Sequence, residues 1–493
     1  MSVDSISSAS PSGSPIVVVG GGALGLSVAY FLGQANLSTL LIAPPDRNGV
    51  ASLAAGAMID AFGEMDQIHS DLDRLRLTVK VEAQRYYPHW LERLAAESGL
   101  SITQQQGMFL IGNNQGADDR TQLAQIRQEM QSYGEAFEAV EPKEVPGLDP
   151  HDRYPVQEAL FLKGAMTVDS AQLLSAIEQA ALNRGHYQRL LDRVVEIVPP
   201  AKTGEAYQVK TQTGTIVAAE AVVVCAGAHT LEVLGETWAN KLALPPLYFG
   251  LGSGCVVNHA PAIPYGIRTP NRPLAAGVHL VPRAEGGLYL GANNYFGVDL
   301  HQPLGSTLAD VHTLLEGAMH QMNRGLQRAC FVSVNWGLRP VTPADQPLLG
   351  ETAQPRLFIA TGTHRTGIHY APLFAQWLVA AIQGQPNPQA HPFSPAAIQD
   401  LPKPAPTLRD GIQALLGSLL LPNGHLPYDR QQQLENLLEL LLKRSFPSHF
   451  PGTDPSLSAD LETWLQKIPN PKPALVQLLR QTQPTNQYTE TEI

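Results

Sequence analysis

Two groups of residues lie more than 300 positions apart in the sequence and have the types and spacing to do chemistry. Near the start, Gly20, Gly22 and Gly25 form a G-x-G-x-x-G pattern. Near the end, Arg339 stands in a Trp-Gly-Leu-Arg-Pro segment, and a Thr-Gly-Thr-His-Arg-Thr-Gly segment follows at residues 361–367. Closely spaced glycines can hold the phosphates of a dinucleotide, and a guanidinium can hold a carboxylate through two parallel hydrogen bonds.

The glycine pattern lies between a predicted strand and a predicted helix. Residues 16–19 are β-branched, as in a buried parallel strand, and Leu24, Val28 and Leu32 recur at helical spacing after the glycines. A helix that begins there directs its positive end at a pyrophosphate. This order predicts a dinucleotide site, and an ordinary tight turn between a strand and a helix is the alternative.

The acidic residue that usually ends the second strand of such a unit is missing. In that fold it binds the adenosine ribose roughly 20 residues past the glycines. Here Pro44, Pro45 and Asp46 follow the predicted strand at 38–43. Asp46 is therefore a candidate ribose ligand; water or backbone groups in that role, with Asp46 as a solvated turn residue, are the alternatives.

Length, composition and charge indicate an ordinary soluble enzyme. The 493 residues, 44% of them hydrophobic, are enough for two or three domains. A net charge of -11 argues against a nucleic-acid partner, because no basic face is available to displace phosphate counterions. No membrane span is expected, since the apolar stretch at 16–32 is interrupted by glycines. Only three, widely spaced cysteines predict a reducing compartment, and hence a cytoplasmic location.

The middle of the chain predicts a second domain inserted into the first. Segments 102–112, 248–258, 277–292 and 330–338 have the mixed alternation of an antiparallel sheet with one face toward a pocket. The apolar run at 219–228 predicts another core strand with a small-residue turn, and residues 371–381 predict an apolar helix. No metal site is expected: His312, Glu316 and His320 share a helical face, which is interpreted as solvated.

Several spaced motifs together resemble the FAD-dependent D-amino-acid oxidase superfamily, nearest to its glycine oxidase and sarcosine oxidase branch. The resemblance covers roughly residues 15–385 and implies an α/β fold, α+β overall, in which a Rossmann-like FAD-binding domain is interrupted by an antiparallel-sheet substrate domain. It rests on the glycine motif and on residues 51–58, 222–227, 279–283, 337–340, 347–350 and 360–367.

The resemblance implies the roles of the site residues. Arg339 matches the arginine that pairs with the substrate carboxylate, and Arg365 matches a second arginine that either contacts the substrate or supports the cofactor loop. His279 and Asn294 stand where the glycine oxidase branch often has tyrosine and an apolar residue, so they are either polar pocket residues or satisfied structural side chains. The implied FAD contacts, besides Gly20, Gly22, Gly25 and Asp46, are Ser52, Ala55, Gly56, Met58, Ala226, Gly227, Gly362, Gly367 and Ile368.

The sequence predicts the following division of the chain. Residues 1–14 are a disordered leader; 15–85, 150–240 and 330–384 form the FAD-binding domain; 86–149 and 241–329 form the substrate domain; 385–407 are a proline-rich linker, 408–480 a helical appendage and 481–493 a disordered tail. The appendage is expected to pack on the body or on another subunit, or to dock a separate partner.

Three functions remain open at this point. The leading one is an FAD oxidase of glycine, sarcosine or a small D-amino acid, which transfers hydride to the flavin and reduces oxygen to hydrogen peroxide. The second is a dehydrogenase of the same fold that passes electrons to a quinone or carrier protein. The third is a flavin-binding interaction protein without catalysis.

Overall fold

The computed structural model describes residues 13–391 and 393–395, apart from 66–67, 69, 114–116, 203, 272–276, 284–285, 298–299, 302–303, 343–345 and 386–390. Nearly all of the predicted leader, most of the linker, the helical appendage and the tail lie outside the described residues. Within the described part of the chain, no helix combines the length and apolar character needed to cross a bilayer.

The described residues form strands that are numbered here in chain order. They are β1 Ile16–Val19, β2 Thr39–Ala43, β3 Gly49–Val50, β4 Met58–Ile59, β5 Gln104–Asn113, β6 Phe137–Val140, β7 Val156–Val168, β8 Tyr187–Leu191, β9 Val194–Val198, β10 Tyr207–Thr211, β11 Ile216–Ala219, β12 Ala221–Val224, β13 Tyr248–Asn258, β14 Gly266–Arg268, β15 His279–Pro282, β16 Leu288–Gly291, β17 Tyr295–Gly297, β18 Cys330–Val341, β19 Leu348–Glu351 and β20 Leu357–Thr361.

The α-helices of the same residues are also numbered in chain order. They are α1 Ala23–Gln34, α2 Ala51–Ala54, α3 Asp71–Ser98, α4 Ala117–Ser132, α5 Ser170–Asn183, α6 Thr230–Leu234, α7 Glu236–Lys241, α8 Leu308–Gly317 and α9 Gly367–Ile382.

The first sheet has six strands in the order β19-β20-β12-β1-β2-β8. Its central strand β1 pairs in parallel with β12 and with β2. Ile16 and Val18 pack into the core formed with α1, α3, α5 and α9, whereas Val17 and Val19 pack into a second core on the opposite face with β9–β11. A strand buried on both faces explains the unbroken β-branched run. The predicted Rossmann-like unit is confirmed.

The second sheet has eleven strands and carries most of the antiparallel pairing. Its main path is β3-β18-β13-β16-β15-β14-β5-β7-β4, with β17 and β6 pairing at the side. Strand β13 has the predicted bounds, and its neighbour β18 extends three residues beyond the predicted segment 330–338, to Val341. The predicted segment 277–292 forms the paired strands β15 and β16.

Sheet membership cuts across the predicted domain boundaries, which themselves remain a prediction. The predicted FAD-binding domain includes the residues of β7 and β18, but these strands hydrogen-bond in the eleven-stranded sheet. Helix α3 also runs through the boundary placed between residues 85 and 86. The segment that carries Arg339 therefore belongs to the second sheet, although it is close in sequence to β19 and β20 of the first.

Helix α9 begins at Gly367, four residues before the predicted start. Pro372 lies inside this helix and lacks the N–H that a helix interior needs. Its absence leaves the carbonyl of Ile368, four residues earlier, without a helical partner. The hydroxyl of buried Tyr87 on α3 donates to that carbonyl at 2.6 Å. A side chain from another helix thus allows α9 to start a turn earlier.

Candidate functional site

One cleft connects the carboxyl ends of the parallel strands to strand β18. Its walls include residues 19–24 at the end of β1, residues 42–44 and 46–52 at the end of β2, and residues 225–229 after β12. Residues 337–340 of β18 and most of the loop at 361–369 line the same cleft. The carboxyl edge of an open parallel sheet is where such folds bind nucleotides.

The glycine turn allows β1 and α1 to approach each other closely. Gly20 has a φ of +114°, and a Cβ placed on Gly25 would lie 1.9 Å from the Gly20 carbonyl oxygen. Gly22, the N-cap residue, makes no side-chain hydrogen bond to the helix end, and the Ser52 hydroxyl accepts the Ala23 N–H at 3.0 Å. These features fit a pyrophosphate at the helix end, because the backbone is bare and the end of the dipole is positive.

The turn after β2 places an arginine next to the glycines. Asp46 lines the cleft, and its carboxylate accepts the N–H of Asn48 at 3.0 Å, which is an exposed Asx turn. Arg47 also lines the cleft and donates to the Gly21 carbonyl at 2.7 Å. Burial lowers the pKa of Arg47 from its usual value. The sequence analysis does not single out Arg47, because nothing in the sequence separates it from a surface arginine.

The small residues between α2 and β4 form part of the cleft wall. Ala55, Gly56 and Met58 all line it. A Cβ on Gly56 would lie 3.0 Å from the ring of Tyr289, whose hydroxyl donates to the carbonyl of Ala54 at 2.9 Å. At Gly56 the wall is packed so tightly that a larger residue would press on the Tyr289 ring, as expected of a segment that lies against a flat ring.

The two loops after β12 and β20 are joined to each other. The Thr361 hydroxyl donates to the Gly227 carbonyl at 2.9 Å. Ala226, Gly227, Gly367 and Ile368 line the cleft, as the predicted FAD contacts require. Gly362 is not among the lining residues. Its φ is +71°, and a Cβ there would lie 2.9 Å from Thr342, so glycine is needed here for the backbone conformation and the close packing.

Arg339 projects into the cleft from β18 and is held by neutral oxygens. Its Nη1 donates to the carbonyl of Asn293 and to Oδ1 of Asn294, both at 2.9 Å. No carboxylate of the described residues lies within ion-pair distance of it. Burial, followed by the charge of Arg365, lowers the pKa of Arg339 to about 10, so it remains a cation at neutral pH. An aimed cation without an anionic partner is suited to an anionic ligand.

Asn294 lies behind Arg339 instead of lining the cleft. Because its Oδ1 accepts from the guanidinium, its Nδ2 is directed at Nε2 of His364, 3.3 Å away. The backbone N–H of His364 donates to the Pro340 carbonyl at 2.8 Å, which fastens the 361–367 loop to the strand that carries Arg339. The amide therefore orients the arginine and connects it to the loop.

His279 lines the cleft as a neutral imidazole. Burial, followed by the charge of Arg268, lowers the pKa of His279 to about 4. Its Nδ1 lies 3.0 Å from the Gly277 carbonyl and must donate there. The other ring nitrogen is then an acceptor, and it faces Gly56 and Gly291. His279 thus combines the two sequence interpretations, since it is structurally satisfied and also reaches the cleft.

Arg365 belongs to a cluster of charges at the arginine end of the cleft. Its Nη1 donates to Oδ1 of Asn271 at 3.1 Å, and the same oxygen accepts from buried Arg268 at 3.2 Å. Glu64 lines the cleft and pairs with Arg268 at 3.0 Å. Burial alone would raise the pKa of Glu64, but the Arg268 and Arg365 charges bring it well below the usual range.

Sequence reasoning missed Glu64 and Tyr289 as cleft residues. Glu64 lies in a loop with no motif of its own. Tyr289 occupies a predicted strand whose alternation could not show which face meets the cleft, because both sides of that strand carry apolar residues.

Comparisons with known proteins place the chain in a family. Residues 15–381 match the family described as FAD dependent oxidoreductase, DAO. The chain is 26% identical to the bifunctional protein ThiO/ThiG of Trichormus variabilis over 373 residues, which cover 75% of this chain but 53% of that protein. It spans about half the length of such bifunctional relatives. It is also 26% identical to glycine oxidase of Bacillus subtilis over 367 residues, covering 72% of this chain and 89% of the relative.

Solved structures share the fold. The glycine oxidase of Geobacillus kaustophilus superposes with a TM-score of 0.65 at 22% identity, covering 77% of this chain and 97% of that one. The L-proline dehydrogenase of P. horikoshii superposes with a TM-score of 0.62 at 18% identity, covering 78% and 98%. The predicted family and cofactor are confirmed: the chain belongs to the DAO family of FAD-dependent oxidoreductases.

Proposed function

We propose that this protein oxidises the CH–NH bond of an amino acid and that Arg339 holds the substrate carboxylate. The observation that carries the proposal is the guanidinium at the cleft, held by two neutral oxygens and paired with no carboxylate of the described residues. The names of the relatives, which include glycine oxidase, support a small amino acid as substrate.

The chain's own residues bind and orient the substrate. Bidentate pairing with Arg339 fixes the carboxylate and so restricts the position of the Cα hydrogen. FAD, when bound, is the acceptor of the hydride that leaves Cα. The neutral ring of His279 adds no positive charge to the cleft, where the amine must lose its proton before the nitrogen lone pair can form the imine. Orientation by the protein supplies most of the rate acceleration in this proposal.

The proposed overall reaction consumes oxygen and water. Two electrons and two protons pass from the amino acid to oxygen, which becomes hydrogen peroxide. Water then hydrolyses the imine to an oxo acid and ammonia, or to an amine when the substrate is N-alkylated. A dehydrogenase that passes the same electrons to a quinone or a carrier protein would use the same residues. These residues therefore do not distinguish oxygen from another electron acceptor, and the assay must identify the acceptor.

The test follows the absorbance of the flavin when glycine, sarcosine and D- and L-amino acids are added without air, and then measures peroxide under air. Bleaching followed by peroxide supports the oxidase; bleaching without peroxide supports the dehydrogenase. If no amine bleaches the flavin, the proposal is wrong. The Arg339→Ala variant should retain bound flavin and lose turnover, whereas Arg339→Lys should keep part of it, because an ammonium supplies the charge without the planar fork.

A further inference from the structure

A second cavity adjoins the arginine end of the cleft. The two share Glu64, Thr363, His364 and Arg365 as wall residues. The far wall of the second cavity is formed by α3, which contributes Lys80 among others. A ligand anchored at Arg339 would therefore have a neighbouring space into which a longer side chain can extend.

The ionic groups of the second cavity are not balanced. Arg76 pairs with Asp73 at 3.6 Å, and Glu64 pairs with Arg268 at 3.0 Å. Lys80 and Arg365 also line the cavity, and neither has a carboxylate of the described residues within ion-pair distance. The cavity wall therefore carries one more cation than carboxylates among the described residues. Lys80 and Arg365 both act on the Glu64 carboxylate through space, but neither forms an ion pair with it.

Arg365 is positioned by a neutral group. Its contact with Oδ1 of Asn271 orients the guanidinium without cancelling its charge. Nδ2 of Asn271 donates to the backbone carbonyl of Glu64 at 3.1 Å, which fixes the amide in turn. The arrangement repeats the one at Arg339, where an asparagine oxygen also holds a guanidinium at the cleft.

We propose that the second cavity binds a second anionic group of the substrate through Arg365 and Lys80, so that the preferred substrate is an amino acid that carries a second carboxylate. This rests on the proposed amino-acid oxidation. Arg339 takes the carboxylate next to the reacting carbon, and the distal carboxylate lies between the loop arginine and the α3 lysine. A charge-assisted hydrogen bond to such a group contributes enough to favour an acid over its amide by about 10-fold or more.

The experiment compares acids with amides of the same size. The rate constant of anaerobic flavin reduction divided by the apparent Kd is measured for glutamate and glutamine, and for aspartate and asparagine, in both configurations, with glycine as the reference. The wild type should favour the acid by about 10-fold or more over its amide. Lys80→Gln and Arg365→Gln should each reduce that ratio by about 10-fold. Arg76→Gln is the matched control, because this arginine lines the same cavity but is paired with Asp73.

The outcomes separate this inference from the proposed function. If the amides react as well as the acids, or if the acid-to-amide ratio is the same in Lys80→Gln, Arg365→Gln and the wild type, the second anion site is wrong while amino-acid oxidation stands. An equal fall in Arg76→Gln would also overturn it, because the effect would then follow the general charge of the cavity. If neither glycine nor any other amino acid reduces the flavin, the proposed function itself fails.

Discussion

Replacing Asn294 by leucine should weaken substrate binding without removing any group that touches the substrate. Its Oδ1 is one of two oxygens that hold Nη1 of Arg339, each at 2.9 Å. A hydrogen bond to a charged group contributes about 1.5–3 kcal/mol, which corresponds to roughly 10- to 150-fold. Since the Asn293 carbonyl remains, we expect the lower end, a fall of about 10-fold in kcat/KM.

The aspartate variant at the same position distinguishes orientation from charge. Asn294→Asp keeps the acceptor but places a carboxylate beside Arg339, where it competes with the substrate carboxylate. We expect a loss of about 100-fold in kcat/KM, mainly through KM, because a buried charge pair is stronger than a neutral contact. Turnover is measured as peroxide formation, and the binding of a non-reacting carboxylate is measured by the change in flavin absorbance.

The control is Asn335→Leu. Asn335 lies on β18, the strand that carries Arg339, but its side chain contacts Ser333 and not the arginine. It should stay within about twofold of the wild type. If Asn294→Leu also stays within that range, or if Asn294→Asp binds carboxylates more tightly than the wild type, the amide does not orient Arg339 and the reasoning is wrong.

Three further outcomes follow from the fold. Gly25→Ala should lower the flavin content of the purified protein at least several-fold, because its Cβ would lie 1.9 Å from a carbonyl oxygen, whereas Gly33→Ala, in the same helix with nothing closer than 3.6 Å, should not. Tyr87→Phe should lower the free energy of unfolding in urea by about 1–3 kcal/mol, because it leaves a buried carbonyl without a donor. Acid should destabilise the protein: burial lowers the pKa of His279 and His369 to about 4, and both titrate near 6.5 when unfolded. Between those values the unfolded chain binds more protons than the folded one. The free energy of unfolding should therefore decrease as the pH is lowered from 6.5 to 4, by up to about 1.4 kcal/mol per pH unit for each histidine. A flat profile over that range would contradict this.

The cofactor half of the site was predictable because its determinants are local. The strand, the glycine turn and α1 lie within 19 consecutive residues, and each follows from side-chain type and spacing. The start of α9 was missed for the opposite reason, since the hydroxyl that permits it comes from Tyr87, almost 300 residues away in the chain. A tertiary contact there overrides a local rule about proline.

The substrate half was predictable only in part. Arg339 was identified through the family resemblance, but its partner Asn294 is 45 residues away, and its role depends on a strand register that the sequence does not specify. Glu64 and Arg365 come together through Arg268 and a shared amide, which no spacing indicates. The predicted docking or subunit role of residues 408–480 and the cytoplasmic location stay predictions.

The short parallel pairing of β3 with β18 has a practical consequence for recombination between relatives. Gly337 and Leu338 lie opposite Gly49 and Val50, so the segment leading to Ser52 and the segment leading to Arg339 are neighbours in one sheet. A chimera that takes residues 330–341 from one parent and residues 49–52 from another would pair two strands that do not occur together in either parent. It would disturb the cleft at Ser52 and at Arg339 together. Crossover points should therefore keep both segments from a single parent.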